Sequence, residues 1–203
     1  MDLYKAGFKV QTLPPTGKIT YGDATNAQDL SHYNVYIIPE CYVLFTAAEK
    51  QAILAFVRNG GGLFLVGNHF GSNRYSGGTD AVHVFNDLMT ENGTNVFGFT
   101  YVTGHGAGDS KANITSSLFS TASNTATQAI LHGPFGGVSL MDFHAYSYLT
   151  VDTSKNPSAQ EILKTSVSGD TGSLIAFTTL GSGRVVAITD SAPADDRTTT
   201  TSS

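Results

Sequence analysis

The chain has 203 residues, of which 40% are hydrophobic, so it is long enough to bury the core of one globular domain. Its formal net charge of -5 and the lack of any basic run argue against a nucleic-acid-binding protein, because such proteins present a basic surface to the phosphates. Its one cysteine excludes an internal disulfide and a cysteine-rich zinc site, and no apolar stretch approaches the roughly 20 residues that a membrane helix needs.

Both ends of the chain are abrupt. Residues 1–8 are typical of the end of a helix, and residues 8–13 are typical of the strand that such a helix leads into. At the other end, the chain stops soon after Asp196. We therefore expect a single domain over residues 1–203, which is either truncated at both ends as an excerpt of a larger protein or an unusually minimal domain. Its sheet is expected to have an open edge, through which a homodimer can form.

A strand, a helix and a second strand are predicted next. Residues 35–38 form a short apolar run, as in a strand buried in a parallel sheet. Thr46 is a good N-cap for the helix that follows, and Glu49 completes a capping box with it. The glycines at 60–62 end this helix, and residues 63–66 start the second apolar strand. This order predicts a βαβ unit with a right-handed crossover.

The remaining predicted elements are shorter. Residues 79–91 carry apolar side chains at helical spacing, and Thr79 is the expected N-cap. Residues 92–136 show no sustained period, which predicts a long excursion with a strand at 96–102 and a short helix or turn at 113–119. Three short strands and a hairpin are predicted after it, at residues 138–143, 146–151 and 162–167, and at 174–180 with 185–189.

Two parts of the chain resemble a known superfamily. They are GGGLFLVGNH, preceded by the helix and by IIPE, and SLIAFTTLGSGRVVAITDSAPADD near the end. They resemble the class I glutamine amidotransferase-like superfamily, particularly its trehalose-utilisation-like and secreted bacterial branches, over residues 3–13, 33–90 and 173–196. The resemblance implies a flavodoxin-like or amidotransferase-like α/β domain, with a mostly parallel central sheet, flanking helices and a C-terminal antiparallel hairpin. Many functions occur on this scaffold, so an activity does not follow from the fold.

The turn after the second strand departs from the superfamily pattern. In that superfamily this turn is the nucleophile elbow, which carries cysteine in the amidotransferases. Here it carries Asn68 and His69, so amidotransferase activity is not expected. The chain is also similar to a metagenome-derived, calcium-dependent hydrolase associated with interference in bacterial quorum sensing. That second similarity implies a hydrolase that uses calcium.

Composition also bears on the location of the protein. Only 13% of the residues are charged, while glycine, serine, threonine and asparagine are abundant. This balance favours an extracellular or periplasmic bacterial domain over a cytosolic enzyme. The first residues, MDLYKAGFKV, lack the apolar region of a signal peptide, so the expectation includes a leader that was removed.

The candidate catalytic residues follow the predicted parallel strands, because ligands bind beyond the carboxyl ends of such strands. His69 comes directly after the second strand, between Gly67 and Gly71, where an imidazole can act as general base or metal ligand. Glu40 ends the neighbouring strand and Asp190 follows the last one, so both carboxylates are expected at the same rim. Simpler alternatives stay open, since His69 can cap the next helix and Glu40 can face solvent.

Oxygen-bearing side chains near the same rim predict a calcium site, because calcium takes about six to eight oxygen ligands. The candidate ligands are Asn68, Asn73, Asp80, Asp195 and Asp196. The candidate substrate-binding side chains are Arg74, His144 and Ser191. Two alternatives stay open, namely an acidic loop that binds nothing specific and a zinc site that joins His105 and His144 to His69.

Two functional hypotheses remain, since the motifs of a serine elbow, a phosphate loop and a dinucleotide-binding turn are absent from the sequence. In the first, the chain is a calcium-dependent hydrolase of a polar neutral substrate, a glycoside or a lactone, with His69 and the rim carboxylates activating water. In the second, it is an inactive amidotransferase-like module that binds a carbohydrate as part of a larger secreted protein. The expected partner is a small molecule or a glycan in both, and neither nucleic acid nor a membrane.

Overall fold

The computed structural model describes residues 3–104, 113–120, 125–133, 136–167 and 171–194. The α-helices in these segments are α1 (Ala47–Arg58), α2 (Ala81–Leu88) and α3 (Thr125–Leu131), and short 3-10 helices cover Leu30–His32 and Ala192–Ala194. The strands are β1 (Val35–Pro39), β2 (Gly62–Val66), β3 (Thr90–Glu91), β4 (Thr94–Asn95), β5 (Phe99–Tyr101), β6 (Asn113–Ser116), β7 (His132–Gly133), β8 (Gly136–Gly137), β9 (Met141–His144), β10 (Leu149–Val151), β11 (Gln160–Lys164), β12 (Ser173–Leu180) and β13 (Gly183–Ile188).

A seven-stranded sheet runs through the described part of the chain. Its strand order is β1-β2-β13-β12-β10-β5, and β11 also pairs with β12. β2 is parallel to β1 on one side and to β13 on the other. Since α1 connects β1 to β2, the predicted strand–helix–strand order is confirmed. The carboxyl ends of β1, β2 and β13 therefore lie at the same rim of the sheet.

The sheet is not mostly parallel, which corrects the expectation from the resemblance. β12 is antiparallel to β13, β10 and β11, and β10 is antiparallel to β5. A parallel neighbour needs a crossover of about a dozen residues or more, and β12 and β13 are joined by residues 181–182 alone. Those two strands form the predicted C-terminal antiparallel hairpin. The architecture is mixed α/β, with a strand-rich sheet and few helices.

The predicted capping box of α1 is confirmed. The hydroxyl of Thr46 accepts a hydrogen bond from the amide of Glu49 at 3.3 Å, and the carboxylate of Glu49 accepts one from the amide of Thr46 at 2.9 Å. The helix ends at Arg58 with Asn59 as its C-cap, and the next residue is Gly60, whose φ of +107° favours glycine. These local signals explain why the sequence alone locates this helix well.

α2 is shorter than predicted and begins one residue later. Asp80 caps it rather than Thr79, because the carboxylate of Asp80 accepts a hydrogen bond from the amide of His83 at 2.9 Å. The predicted last turn of the helix is replaced by the hairpin of β3 and β4. Asn92 and Gly93 form its turn, with φ of +49° and +77°, which is a conformation that a helix cannot include.

Two other segments differ from their predicted secondary structure. Residues 8–13, predicted as a strand, are irregular, because they pair with no described strand and Pro14 closes the segment. Residues 113–119, predicted as a helix or turn, contain β6, which is antiparallel to β9. β-Branched residues such as Ile114 and Thr115 favour a strand once a partner strand is available. In both segments the presence or absence of a partner strand decides the outcome.

Apolar side chains pack on both faces of the sheet. The side chains of β2 alternate between two buried apolar clusters, one on each face of the sheet. Leu63 and Leu65 belong to the cluster that includes α1 and α2, whereas Phe64 and Val66 pack in the other cluster. At β1 the second face is less covered, and Val35 is 55% exposed. Among the described strands β1 pairs with β2 alone, so it is an edge strand. None of the described helices combines the length and the apolar character that crossing a membrane requires.

Candidate functional site

Three chain segments meet where the parallel strands end. Glu40 follows β1, Asn68 and His69 follow β2, and Asp190 and Ser191 follow β13. Backbone hydrogen bonds continue past the strand ends, from the amide of residue 40 to the carbonyl of residue 66 at 2.9 Å and from residue 67 to residue 188 at 2.8 Å. These bonds hold the segments side by side, so the polar side chains emerge at one rim.

Glu40 is the centre of a polar network at this rim. The hydroxyl of Tyr42 donates a hydrogen bond to its carboxylate, and the side chains of Ser191 and Asn68 also bond to it. The guanidinium of Arg74 lies 3.9 Å from the same carboxylate. Burial raises the pKa of Glu40, but these donors and the positive charge outweigh it, so its pKa lies below the usual value. The site therefore holds an ionised carboxylate at neutral pH.

The backbone of Glu40 is strained. Its φ is +28°, in the left-handed region that residues with a side chain rarely adopt. Such a conformation costs about 1 kcal/mol or more, and it concentrates at functional sites when the surroundings hold it in place. Here the strain turns the chain at the end of β1 and aims the carboxylate at the rim. The side chain remains 14% exposed, so it is accessible to a ligand.

Tyr42 was missed by the sequence analysis. Its carbonyl accepts a hydrogen bond from the amide of Thr79 at 2.8 Å, and the hydroxyl of Ser72 also bonds to its phenol. Burial, together with the neighbouring charge of Glu40, raises the pKa of Tyr42 to about 12. The phenol thus stays protonated and donates a hydrogen bond to the carboxylate of Glu40. The one signal in the sequence is its position two residues after Glu40.

His69 lies at the rim but outside the network of Glu40. Its Nδ1 donates a hydrogen bond to the carbonyl of Phe70 at 2.9 Å, since a carbonyl can only accept. In the neutral ring, Nε2 therefore carries the lone pair and can accept a proton. The imidazole has no hydrogen bond or ion pair to the described carboxylates of Glu40 and Asp190. The structure thus brings His69 to the rim without the expected orienting carboxylate.

Asp190 is buried below the rim, with 2% of its surface exposed. Its carboxylate accepts hydrogen bonds from the backbone amides of His144, Ser191 and Ala192. Burial nevertheless raises the pKa of Asp190 above the usual value. The carboxylate holds the end of β9 against the end of β13, while the side chain of Ser191 reaches Glu40. Residue 144 is itself exposed.

The described candidates for calcium do not form a shared shell of free oxygens. Asp80 uses both carboxylate oxygens, one for Gly71 and one for His83. Asn73 bonds within its own loop, and the side-chain oxygen of Asn68 accepts the amide of His69. Asp195, Asp196 and His105 lie outside the described residues. Within the described ranges, no three His, Cys, Asp or Glu side chains are grouped so that they could hold a metal ion.

The lone thiol is not activated. Cys41 donates a hydrogen bond to the carbonyl of Val43 at 3.3 Å, and burial raises its pKa above the usual value. A nucleophilic cysteine needs the opposite shift, because the thiolate is the reactive form. Cys41 therefore serves as a partly buried apolar side chain beside Glu40.

A groove among the described residues lies elsewhere, along β11. It has a volume of about 670 Å³, and Phe119 and Ile162 are among the residues that line it. Its charged residues, Glu161 and Lys164, form an ion pair with each other at 2.9 Å. The polar residues Ser120, Thr153 and Gln160 also line it, whereas the rim around Glu40 combines a carboxylate with a guanidinium.

The comparisons with known proteins bear on the fold. No protein-family model and no curated protein matches the chain. Among solved structures, the mmIFT52 N-terminal domain is similar, with a TM-score of 0.61, 15% identity, and coverage of 96% of this chain and 78% of that one. Its similarity supports the mixed α/β fold and, at this identity, nothing beyond the fold.

Two further solved structures are less similar. Cytoplasmic protein STM1381 from Salmonella typhimurium LT2 has a TM-score of 0.47 and 15% identity over 80% of this chain and 62% of that one. A beta-galactosidase from Bacillus circulans sp. alkalophilus has a TM-score of 0.47 and 15% identity, over 80% of this chain and 21% of the enzyme. The chain thus spans less than two thirds of either protein, and neither similarity is close enough to carry an argument.

Proposed function

We propose that the rim around Glu40 binds a polar, uncharged, hydroxyl-rich ligand of the carbohydrate class, and that the chain is a binding module. The observation that carries this proposal is the ionised, partly exposed carboxylate of Glu40 with its three hydrogen-bonding neighbours. A carboxylate accepts strong hydrogen bonds from ligand hydroxyls. Its neighbours hold it in place before a ligand arrives, so little conformational freedom is lost on binding.

The charges at the rim favour a neutral ligand. Arg74 balances the negative charge of Glu40, so the site does not need a cation to compensate it. Arg74 is also 68% exposed, which leaves guanidinium N–H groups to donate to ligand oxygens. The carboxylate would repel an anionic ligand, and the guanidinium would repel a cationic one. A neutral ligand with donors and acceptors satisfies both groups.

Binding fits these groups better than catalysis does. The phenol of Tyr42, with a pKa of about 12, is too weak an acid to protonate a leaving group at neutral pH. The second carboxylate, that of Asp190, is buried under backbone amides and does not face the rim. Hydrolysis of a glycosidic bond usually needs two carboxyl groups that flank the bond. Glu40 is thus left as an acceptor for ligand hydroxyls.

We also propose a more specific assignment of the fold. The order β1, α1, β2, with β13 parallel to β2 and a hairpin before it, is compatible with an amidotransferase-like domain whose elbow has lost its cysteine. A flavodoxin-like sheet would continue with parallel strands, whereas this one continues with antiparallel strands. An inactive branch of the class I glutamine amidotransferase-like superfamily is the assignment that we propose. A binding role accords with the replacement of the elbow cysteine by Asn68 or His69.

Glu40→Gln is the variant that tests the binding proposal. We expect it to weaken binding roughly 10- to 100-fold, because a hydrogen bond to a charged group contributes about 1.5–3 kcal/mol. The wild type is first screened against an array of neutral oligosaccharides, and the tightest-binding sugar is then titrated by calorimetry. Glu161→Gln on β11, which changes a carboxylate far from the rim, is the matched control. A wild type that binds no sugar, or a Glu40→Gln variant that binds like the wild type, contradicts the proposal.

A second candidate function, hydrolysis of a glycoside or a lactone, is favoured by the free Nε2 of His69 at the rim. If the protein is a hydrolase, we expect His69→Ala to abolish turnover and to leave the folded structure intact, since the general base is lost. The assay uses nitrophenyl glycosides and acyl lactones, each with added calcium and with a chelator. Circular dichroism monitors folding. Turnover that is unchanged in His69→Ala excludes this residue as the base.

A further inference from the structure

The loop of residues 71–78 is tightly closed above the rim. The side chain of Asn73 accepts a hydrogen bond from the amide of Tyr75 at 2.9 Å and donates one to the carbonyl of Gly78 at 2.8 Å. The amide of Gly78 donates to the carbonyl of Tyr75 at 3.0 Å. One asparagine side chain and one turn thus fix both sides of residue 75. The tip of this loop has a defined conformation rather than a freely varying one.

Tyr75, at the tip of this loop, presents an exposed aromatic ring. The residue is 55% exposed. Its ring packs against the backbone of Gly77 and Gly78, since a Cβ at these two positions would lie 3.4 Å and 3.1 Å from ring atoms. The glycines allow the backbone to approach the ring closely and hold it in place. A large apolar surface is therefore displayed to solvent at low conformational cost.

The loop is joined to the network of Glu40 at Arg74, beside its tip, and again just after its last residue. Arg74, the residue before Tyr75, is the one that lies 3.9 Å from the carboxylate of Glu40. Thr79, just after the loop, donates its amide to the carbonyl of Tyr42 at 2.8 Å. The aromatic ring is thus placed at the border of the same polar rim. An apolar surface and a set of hydrogen-bonding groups lie side by side there.

We propose that Tyr75 is a specificity-determining residue that stacks on the ring of a saccharide while the hydroxyls of that ring bond to Glu40 and Arg74. This inference rests on the proposed binding function and names the shape of its ligand. A sugar ring has a face of C–H groups and a rim of hydroxyls, which matches an aromatic face beside a carboxylate and a guanidinium. The faces of aromatic rings carry a partial negative charge that attracts such C–H groups. An open-chain polyol offers the hydroxyls without the face.

The test compares Tyr75→Ala and Tyr75→Phe with the wild type, using the tightest-binding neutral oligosaccharide of the array. We expect Tyr75→Ala to weaken binding by about 10-fold, which corresponds to about 1.4 kcal/mol, and Tyr75→Phe to bind within about 3-fold of the wild type, since the ring face is kept. Saturation-transfer NMR should show the ring C–H protons of the sugar in contact with the wild type and with Tyr75→Phe. Tyr4→Ala removes a tyrosine that is 79% exposed elsewhere and serves as the matched control.

The outcomes separate this inference from the binding proposal. If Glu40→Gln loses binding and Tyr75→Ala does not, the rim binds the sugar and the stacking role of Tyr75 is wrong. If Tyr75→Phe loses as much affinity as Tyr75→Ala, the hydroxyl rather than the ring face makes the contact, and stacking is again wrong. If the wild type binds no sugar on the array, both proposals fail. Thermal unfolding of each variant confirms that the fold is kept.

Discussion

We expect Asp29→Asn to lower the free energy of unfolding by about 3 kcal/mol or more, since several buried donors lose a good acceptor at once. Asp29 is inaccessible to solvent. One of its oxygens accepts the amides of Gly22 and Ser31, and the other accepts the amide of Asp23 and the hydroxyl of Thr20. An asparagine has nearly the same shape, but its NH2 group donates. Whichever way the amide turns, at least one backbone N–H then faces the NH2 group, because the amides of Gly22 and Ser31 lie on one side and that of Asp23 on the other.

The stability of the wild type should also depend on pH, because the carboxylate of Asp29 is ionised in the folded state. Burial raises the pKa of Asp29, but hydrogen bonds from Ser31, Thr20 and Asp23 outweigh it and leave the pKa well below the usual value. Because the pKa of Asp29 is lower in the folded than in the unfolded state, its ionised carboxylate contributes fully to stability above the unfolded pKa of about 3.9. This contribution is lost as the pH falls below that value. The difference in the free energy of unfolding between the wild type and Asp29→Asn is therefore constant near neutral pH and becomes smaller in acid.

Urea unfolding followed by circular dichroism, at neutral pH and at several acidic values, measures both effects. Asp23→Asn is the matched control, because the carboxylate of Asp23 accepts two hydrogen bonds from Thr25 at the exposed surface of the same loop. It should change stability much less, since water replaces the lost bonds. An Asp29→Asn protein as stable as the wild type would show that the network of Asp29 contributes little.

The elements that sequence analysis located well carry local signals. The start of α1 was predicted because Thr46 and Glu49 satisfy each other within one helical turn, and its end because Gly60 follows the last turn. The placement of Glu40 and His69 at one rim also followed from local information. Glu40 directly follows the first apolar strand of a strand–helix–strand unit and His69 comes three residues after the second, and such strands are parallel.

The parts that were wrong or missed depend on contacts between distant residues. Whether residues 8–13 form a strand depends on a partner that the sequence does not specify, and the antiparallel half of the sheet depends on the order in which later strands add. The partners of Asp29 come from residues 20–31 and converge only after that loop folds. Tyr42 becomes a site residue because a loop some 35 residues later in the chain packs on it. Periodicity contains no information on such pairings.

Gly78→Ala is expected to dismantle the rim, whereas Gly77→Ala should preserve it. A Cβ at Gly78 would lie 2.1 Å from the carbonyl oxygen of Tyr42. The added Cβ and the carbonyl oxygen are both fixed by the backbone, so no side-chain rotation relieves the clash. The loop has to move away and to break the 2.8 Å hydrogen bond between the amide of Thr79 and the carbonyl of Tyr42. Overpacking of this kind costs about 1–3 kcal/mol of stability.

Gly77→Ala is the matched control for the clash that Gly78→Ala introduces. A Cβ at Gly77 finds its nearest atom, in the ring of Tyr75, at 3.4 Å, which is ordinary van der Waals contact. Both variants remove one glycine from the same loop, so they restrict the unfolded chain by similar amounts. A difference in their urea midpoints therefore measures the clash at Tyr42. A difference in their affinity for the sugar then measures how far ligand binding depends on the loop that carries Arg74 and Tyr75. Equal stability and equal binding in the two variants would mean that the loop does not support the rim, and that the carboxylate of Glu40 is held by its other neighbours alone.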